Sequence, residues 1–143
     1  MNRDETARSL GVTEGPSSPV MSQCVEAHGL LFTSGHTSNI LGTVGDNLSI
    51  DEGQEAASEA VRRLLFSVQQ EHGTLDGLSV VQLSVFVNCT PDFTDHGAIA
   101  NAASELMQSV FTGEKLPTRK ALGQISLPRG VAVEIDAVLA SHA

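Results

Sequence analysis

Apolar residues recur along this chain in two rhythms, one with helical spacing and one with strict alternation. Ala57, Ala60, Val61, Leu64, Leu65 and Val68 fall three or four residues apart, which predicts one face of an amphipathic helix. Ser49-Ile50-Asp51-Glu52 sets a serine three residues before a glutamate, a capping box that starts this helix, and Gly73 supplies its stop. Ile99, Ala103, Leu106, Met107, Val110 and Phe111 predict a second helix, capped by Thr94 or Asp95. Between the two, Val81, Leu83, Val85 and Val87 alternate with Gln82, Ser84, Phe86 and Asn88, which predicts a strand over residues 78–89. Residues 22–27 and 30–34 flank His28-Gly29 and predict a tight hairpin. Residues 119–127 and 131–139 flank Pro128-Arg129-Gly130 and predict another, while 42–48 reads as a short edge strand.

The order ββ(β)αβαββ predicts an α+β domain in which a six-stranded mixed sheet carries both helices on one face. Ala121, Ile125, Leu127, Ala132 and Val138 are available for the opposite face, and a small domain with such a face hides it in an oligomer. Residues 1–18 are polar and end in Gly15-Pro16-Ser17-Ser18-Pro19, which predicts a loosely held N-terminal arm ahead of a domain at 19–143.

Composition narrows the function. In 143 residues, 41% are hydrophobic and 17% charged, which fits one domain with a real core and argues against disorder. Seventeen acidic against eight basic residues give a formal charge of −9, which repels nucleic acid and anionic membrane surfaces. Without Trp or Tyr the chain also lacks its best stacking platforms for bases. No apolar stretch has the roughly 18 residues of a membrane span. Residues 1–15 carry no apolar core of a signal peptide, so a cytoplasmic location is expected. Cys24 and Cys89 form no disulfide framework, and neither metal-ligand spacing nor a nucleotide fingerprint occurs, so no metal and no cofactor is expected.

Candidate chemistry lies toward the C-terminus. Lys115, Arg119, Lys120 and Arg129 make up half of the basic residues, and fit either capture of a small carboxylate or an ordinary solvated strand edge. Glu134, flanked by Val133 and Ile135, is either an outward-facing surface residue or a carboxylate held for chemistry. His36, after Ser34-Gly35, is either a pocket residue or a plain loop histidine.

Four segments occur together in one order: Met21-Ser22-Gln23-Cys24-Val25, Leu31-Phe32-Thr33-Ser34-Gly35-His36, Pro117-Thr118-Arg119, and Leu127-Pro128 through Val133-Glu134-Ile135. Over about residues 19–140 the chain thereby resembles the RidA (YjgF) family of enamine/imine deaminases, and Arg8 to Val12 resembles the start of a longer-armed branch. The resemblance implies a chorismate-mutase-like fold, assembly as a homotrimer and sites between subunits. It places the carboxylate-binding arginine at Arg119, the glutamate that orients attacking water at Glu134, and pocket residues at Ser34, Gly35 and Asn101. The same comparison shows departures. Met21 stands at the usual pocket tyrosine, His36 at a glutamine, Lys120 where serine is common and Ala121 at the usual cysteine, and an insertion separates Asp92-Phe93 from Asn101.

The expected function is therefore hydrolysis of a reactive 2-imino-acid-like molecule to a carbonyl compound and ammonia. Two alternatives keep the same trimer: a pathway-specific enzyme that cyclises or condenses an imine, and a non-catalytic regulatory module that binds small carboxylates. A hairpin centred near residue 129 pairs Glu134 with about residue 124, five residues or roughly 16 Å from Arg119. That gap predicts sites shared between subunits.

Overall fold

The computed structural model describes residues 1–142; Ala143, the last residue of the expected domain, lies outside the described residues. Its strands are β1 (Cys24–Ala27), β2 (Leu30–Thr33), β3 (His36–Thr37), β4 (Leu78–Asn88), β5 (Thr118–Gln124) and β6 (Val133–Ser141). Three helices, α1 (Arg3–Ser9), α2 (Ile50–His72) and α3 (His96–Val110), complete it with a short 3-10 turn at Pro128–Gly130. The strands form one six-stranded mixed sheet in the order β1-β2-β6-β4-β5, with β3 also paired to β6.

Local signals act as the sequence predicts at α2 and at the first turn, whereas Asp95, at the N-cap of α3, makes no side-chain capping hydrogen bond. Ser49 accepts from the Glu52 amide while the Glu52 side chain accepts from the Ser49 amide, and Gly73 ends α2 in the left-handed conformation at φ 94°. At the β1–β2 turn His28 and Gly29 both take positive φ, 55° and 77°, as a two-residue hairpin with the native twist requires. The inward stripe of α2 packs with Ile99, Ala103 and Met107 of α3 over Leu83, Val85, Val87, Ile135 and Leu139 of the sheet.

The C-terminal hairpin does not form. β5 runs parallel to β4, and β6 lies on the other side of β4, antiparallel to it. A parallel pair needs a crossover of a dozen residues or more, and α3 supplies it. The Pro128–Gly130 turn instead leads the chain from one side of β4 to the other.

Three other expectations need correction. Residues 42–48 form no strand but a loop held by isolated bridges, Leu41 to Val131 and Val44 to Leu48 and Cys89. In β4 an irregularity between Val80 and Gln82 leaves Val81 exposed, while Leu78 and Val80 continue the buried face of Leu83. The arm is not loose. α1 buries Ala7, and Val12 beyond it is buried too. Asp4 accepts from the Leu75 amide (3.0 Å), Gln69 Nε2 (2.9 Å) and the Thr74 hydroxyl. Burial would raise the Asp4 pKa, but these hydrogen bonds together hold it below the ordinary value.

The sheet face away from α2 and α3 also differs in detail from expectation. Ala121 packs against the core beneath the helices and Ala132 is fully buried, so neither belongs to that face. Ile125 is exposed in the connection after β5. Val138 shares the open face with Phe32, to which it is paired, and in turn with Val25; Phe86 and Leu122 lie on it two rows away, beyond Ser84, Lys120 and Asp136. Val25, Phe32 and Leu122 are exposed on that face.

Candidate active site

The predicted site residues fall into two groups on opposite faces of the sheet. Arg119 lies opposite Leu83 on β4, and paired residues in a sheet share a face, so its side chain rises on the helix side. There its Nη1 donates to Asn101 Oδ1 (2.8 Å) and Ser104 Oγ (3.2 Å) from α3. The guanidinium lies beside the first turn of α3, where a Cβ at Gly97 would sit 3.8 Å from Nη2, an ordinary van der Waals contact. Asn101 and Ser104 fix one nitrogen of the fork and leave the other donors for an anion. Ser104 was not singled out from sequence, although its place three residues after Asn101 puts both on one helix face.

Beside this group lies a cavity of about 480 Å³, lined by Arg119, Asn101 and Ser104 at one end and by Met107, Phe111 and Leu116 farther along.

Glu134 lies opposite Phe86, three residues along β4 from Leu83 and therefore on the open face. Thr37 of β3 pairs with it, and β2 and β3 run along the same edge of β6 with Ser34 and Gly35 at the break between them. Gly35 leaves the space this carboxylate occupies: a Cβ would stand 2.1 Å from Glu134 Oε2, so the side chain would have to swing away. Burial raises the Glu134 pKa above the ordinary glutamate value; the nearby Asp136 adds to this and Arg129 opposes it. Arg129, at φ 57°, also donates from Nη2 to Thr37 Oγ1 (3.2 Å). Ser34 donates its hydroxyl to the Ser22 carbonyl (2.8 Å), tying this edge to the segment that carries Met21.

Met21 is exposed and lines a separate cavity of about 500 Å³ between residues 15–24 and α2. Lys120 is exposed on the open face, in one row with Ser84 and Asp136. His36 turns away from the face that carries Glu134. Its ring is buried toward α2, with Nδ1 donating to the Ser34 carbonyl (2.8 Å) and Nε2 facing the Ser67 hydroxyl (2.8 Å). Burial lowers its pKa, which favours the neutral ring.

Neither thiol is set up as a nucleophile. Burial, reinforced by Glu71 and Glu26, pushes Cys24 up to about 11, and burial also raises Cys89, whose Sγ lies 3.6 Å from His96 Nε2. Among the described residues no group of three or more His, Cys, Asp or Glu side chains is placed to hold a metal ion. No helix among them is long and apolar enough to cross a membrane.

Arg119 and Glu134 therefore do not meet within one chain. They stand two strands apart, about 10 Å across the sheet and about 10 Å along it, and point away from each other. The separation expected from a hairpin is found, but its cause is the intervening β4.

Comparison with known proteins agrees with this architecture. Residues 16–141 match the family model described as endoribonuclease L-PSP. Protein TCP17 of Trypanosoma cruzi is 43% identical over 101 residues, which cover 68% of this chain and 62% of that protein. The chain thus spans less than two thirds of that relative's length. The crystal structure of Atu1372 from Agrobacterium tumefaciens, a protein of unknown function, superimposes with a TM-score of 0.88 at 27% identity, covering 97% of this chain and 92% of that one. A structure from Shewanella oneidensis, described as a putative endoribonuclease, reaches a TM-score of 0.90 at 16% identity over 98% of this chain and 99% of that one. With nearly its whole length matched, the chain belongs to the endoribonuclease L-PSP family, which is the RidA (YjgF) family that its motifs resemble.

Proposed function

We propose that the chain hydrolyses reactive imines or enamines of small carboxylic acids to a carbonyl compound and ammonia, as a homotrimer with sites shared between subunits. The observation that carries this reading is the Glu134 carboxylate, half-buried against Gly35 with its pKa raised. A carboxyl group shifted toward neutrality is suited to exchanging protons with water and with a departing amine.

In this scheme Arg119 of one subunit binds the substrate carboxylate with the donors left free by Asn101 and Ser104. Glu134 of the neighbouring subunit orients a water molecule toward the electrophilic C=N carbon. As the C–O bond forms, Glu134 takes a proton from the water and passes it to the amine nitrogen. Glu134 then takes the remaining hydroxyl proton of this adduct as the C=O bond forms and the C–N bond breaks, so that ammonia leaves and the carbonyl compound remains. The placement of Arg119 and Glu134 on opposite faces favours the shared arrangement, and the exposed apolar side chains of Val25, Phe32 and Leu122 on the open face favour association.

The description of the family model makes RNA cleavage the rival activity. A net charge of −9 and the absence of Trp and Tyr weigh against it. The deciding experiment supplies freshly generated 2-imino acids and measures release of 2-oxo acid above the spontaneous rate, with low-salt RNA in parallel. Acceleration that disappears in Glu134→Gln, with RNA intact, supports the proposal. Carboxylate binding without acceleration indicates a non-catalytic binding module, and RNA cleavage lost in Glu134→Gln reverses the assignment.

A further inference from the structure

The cavity beside Arg119 is larger than a three-carbon imino acid needs. Its volume of about 480 Å³ lies in the range of roughly 300–1,000 Å³ typical of sites that enclose drug-sized ligands. Arg119 stands at one end, and Val80, Met107, Phe111 and Leu116 contribute apolar side chains to a lining that also carries Glu105, Gln108 and Lys115. Leu116 is 63% exposed, apolar surface that a ligand in the cavity would cover.

The N-terminal arm fixes the far wall. Arg3 places its guanidinium carbon 5.3 Å from the centre of the Phe111 ring and donates from Nη2 to Glu114 Oε1 (2.8 Å). Arg3 Nη1 also donates to the Leu78 carbonyl, which anchors the guanidinium to the start of β4. Glu114 lines the cavity, yet its charge is already matched; the Arg3 hydrogen bond holds its pKa below the ordinary value. A cationic ligand group would find this carboxylate taken. The cavity thus offers a cation where a carboxylate would bind and a group of apolar side chains within reach of it.

We propose that this cavity receives the side chain of the bound acid, so that the preferred substrates are imino acids with branched or aromatic apolar side chains of four or more carbons. Arg3 is then a positioning residue, acting through Phe111 and Glu114 on a site it does not touch. The inference rests on Arg119 being the carboxylate anchor, as argued above.

Calorimetry on the full chain with two stable 2-oxo acids, pyruvate and 4-methyl-2-oxopentanoate, tests it. Burying each additional methylene strengthens binding about fourfold, so the longer acid should bind at least about tenfold more tightly. Leu116→Asp, at an exposed position, should remove that preference. Arg3→Ala should likewise weaken only the longer acid, a split that a general loss of structure would not produce. Equal affinities in the wild type, or a preference that survives Leu116→Asp, overturn the inference. If Arg119→Ala loses both acids while the wild type does not discriminate, chain-length selection alone falls. If Arg119→Ala binds both like wild type, or the wild type binds neither at millimolar concentration, the anchor reading falls with it.

Discussion

Arg119 and Glu134 occupy opposite faces of one sheet, separated by the full width of β4. Each side chain is organised by its own neighbours: Asn101 and Ser104 hold Arg119, while Gly35 makes room for Glu134. Two half-sites built independently on one protomer fit a closed ring, in which each interface joins one half from each partner.

Arg119→Ala should weaken binding of small carboxylates by about 1.5–3 kcal/mol, the usual worth of a hydrogen bond to a charged group. Arg119→Lys should recover little, because an ammonium cannot reproduce the planar fork that bridges substrate and Asn101. Calorimetry checks both, and the melting temperature should stay near wild type since Arg119 is exposed.

Gly35→Ala should eliminate turnover while leaving the fold intact. The added methyl group would meet Glu134 Oε2 at 2.1 Å, and the carboxylate is the part free to move. A variant that folds, binds carboxylates and yet turns over at the wild-type rate would show that the position of Glu134 against Gly35 is unimportant.

Glu134 gives a pH dependence with a definite sign. Its folded pKa is raised above the unfolded value, so the folded state holds the proton more tightly. Stability is therefore greatest below the unfolded pKa of about 4.3 and declines as pH rises through the folded value. Glu134→Gln should be at least as stable as wild type at pH 7 while losing activity. Denaturant titrations at pH 4 and pH 7 measure this, and a variant less stable at pH 7 than wild type contradicts it.

Asp4 has the opposite sign. Its folded pKa is lowered, so its contribution is present above the unfolded value near 3.9 and is lost as pH falls through the folded one. Asp4→Asn should cost about 1–3 kcal/mol at pH 7, because hydrogen bonds to a charged acceptor are replaced by weaker ones. Its effect should shrink toward pH 3, which chemical denaturation can follow.

Much of this architecture was legible because its signals are local. The Ser49–Glu52 box, the His28-Gly29 turn and the stripe of α2 each depend on residues a few positions apart. The pairing of β5 and β6 was misread for the complementary reason. Both flank a proper turn signal, and nothing near residue 129 reveals that β4, forty residues earlier, lies between them. The arm was misjudged because polar residues such as Arg3 and Asp4 look solvated until their partners at Leu78, Glu114, Gln69 and Leu75 are known. His36 matched a pocket position in the motif, but its pairing with Ile135 turns it toward α2, where Ser67 meets it. Motif matching fixed Arg119 and Glu134 as the residues to watch; only the strand order shows that they face apart.

Mixing subunits tests the shared site most directly. Arg119→Ala and Glu134→Gln proteins, each inactive alone, are dissociated together, allowed to reassemble and assayed for imine hydrolysis. In an equal random mixture about a quarter of the interfaces receive an intact Arg119 from one subunit and an intact Glu134 from its neighbour. The account predicts recovery of about that fraction of wild-type turnover. Absence of recovery, with subunit exchange demonstrated by mass spectrometry, would contradict it and place both residues in the service of a single chain.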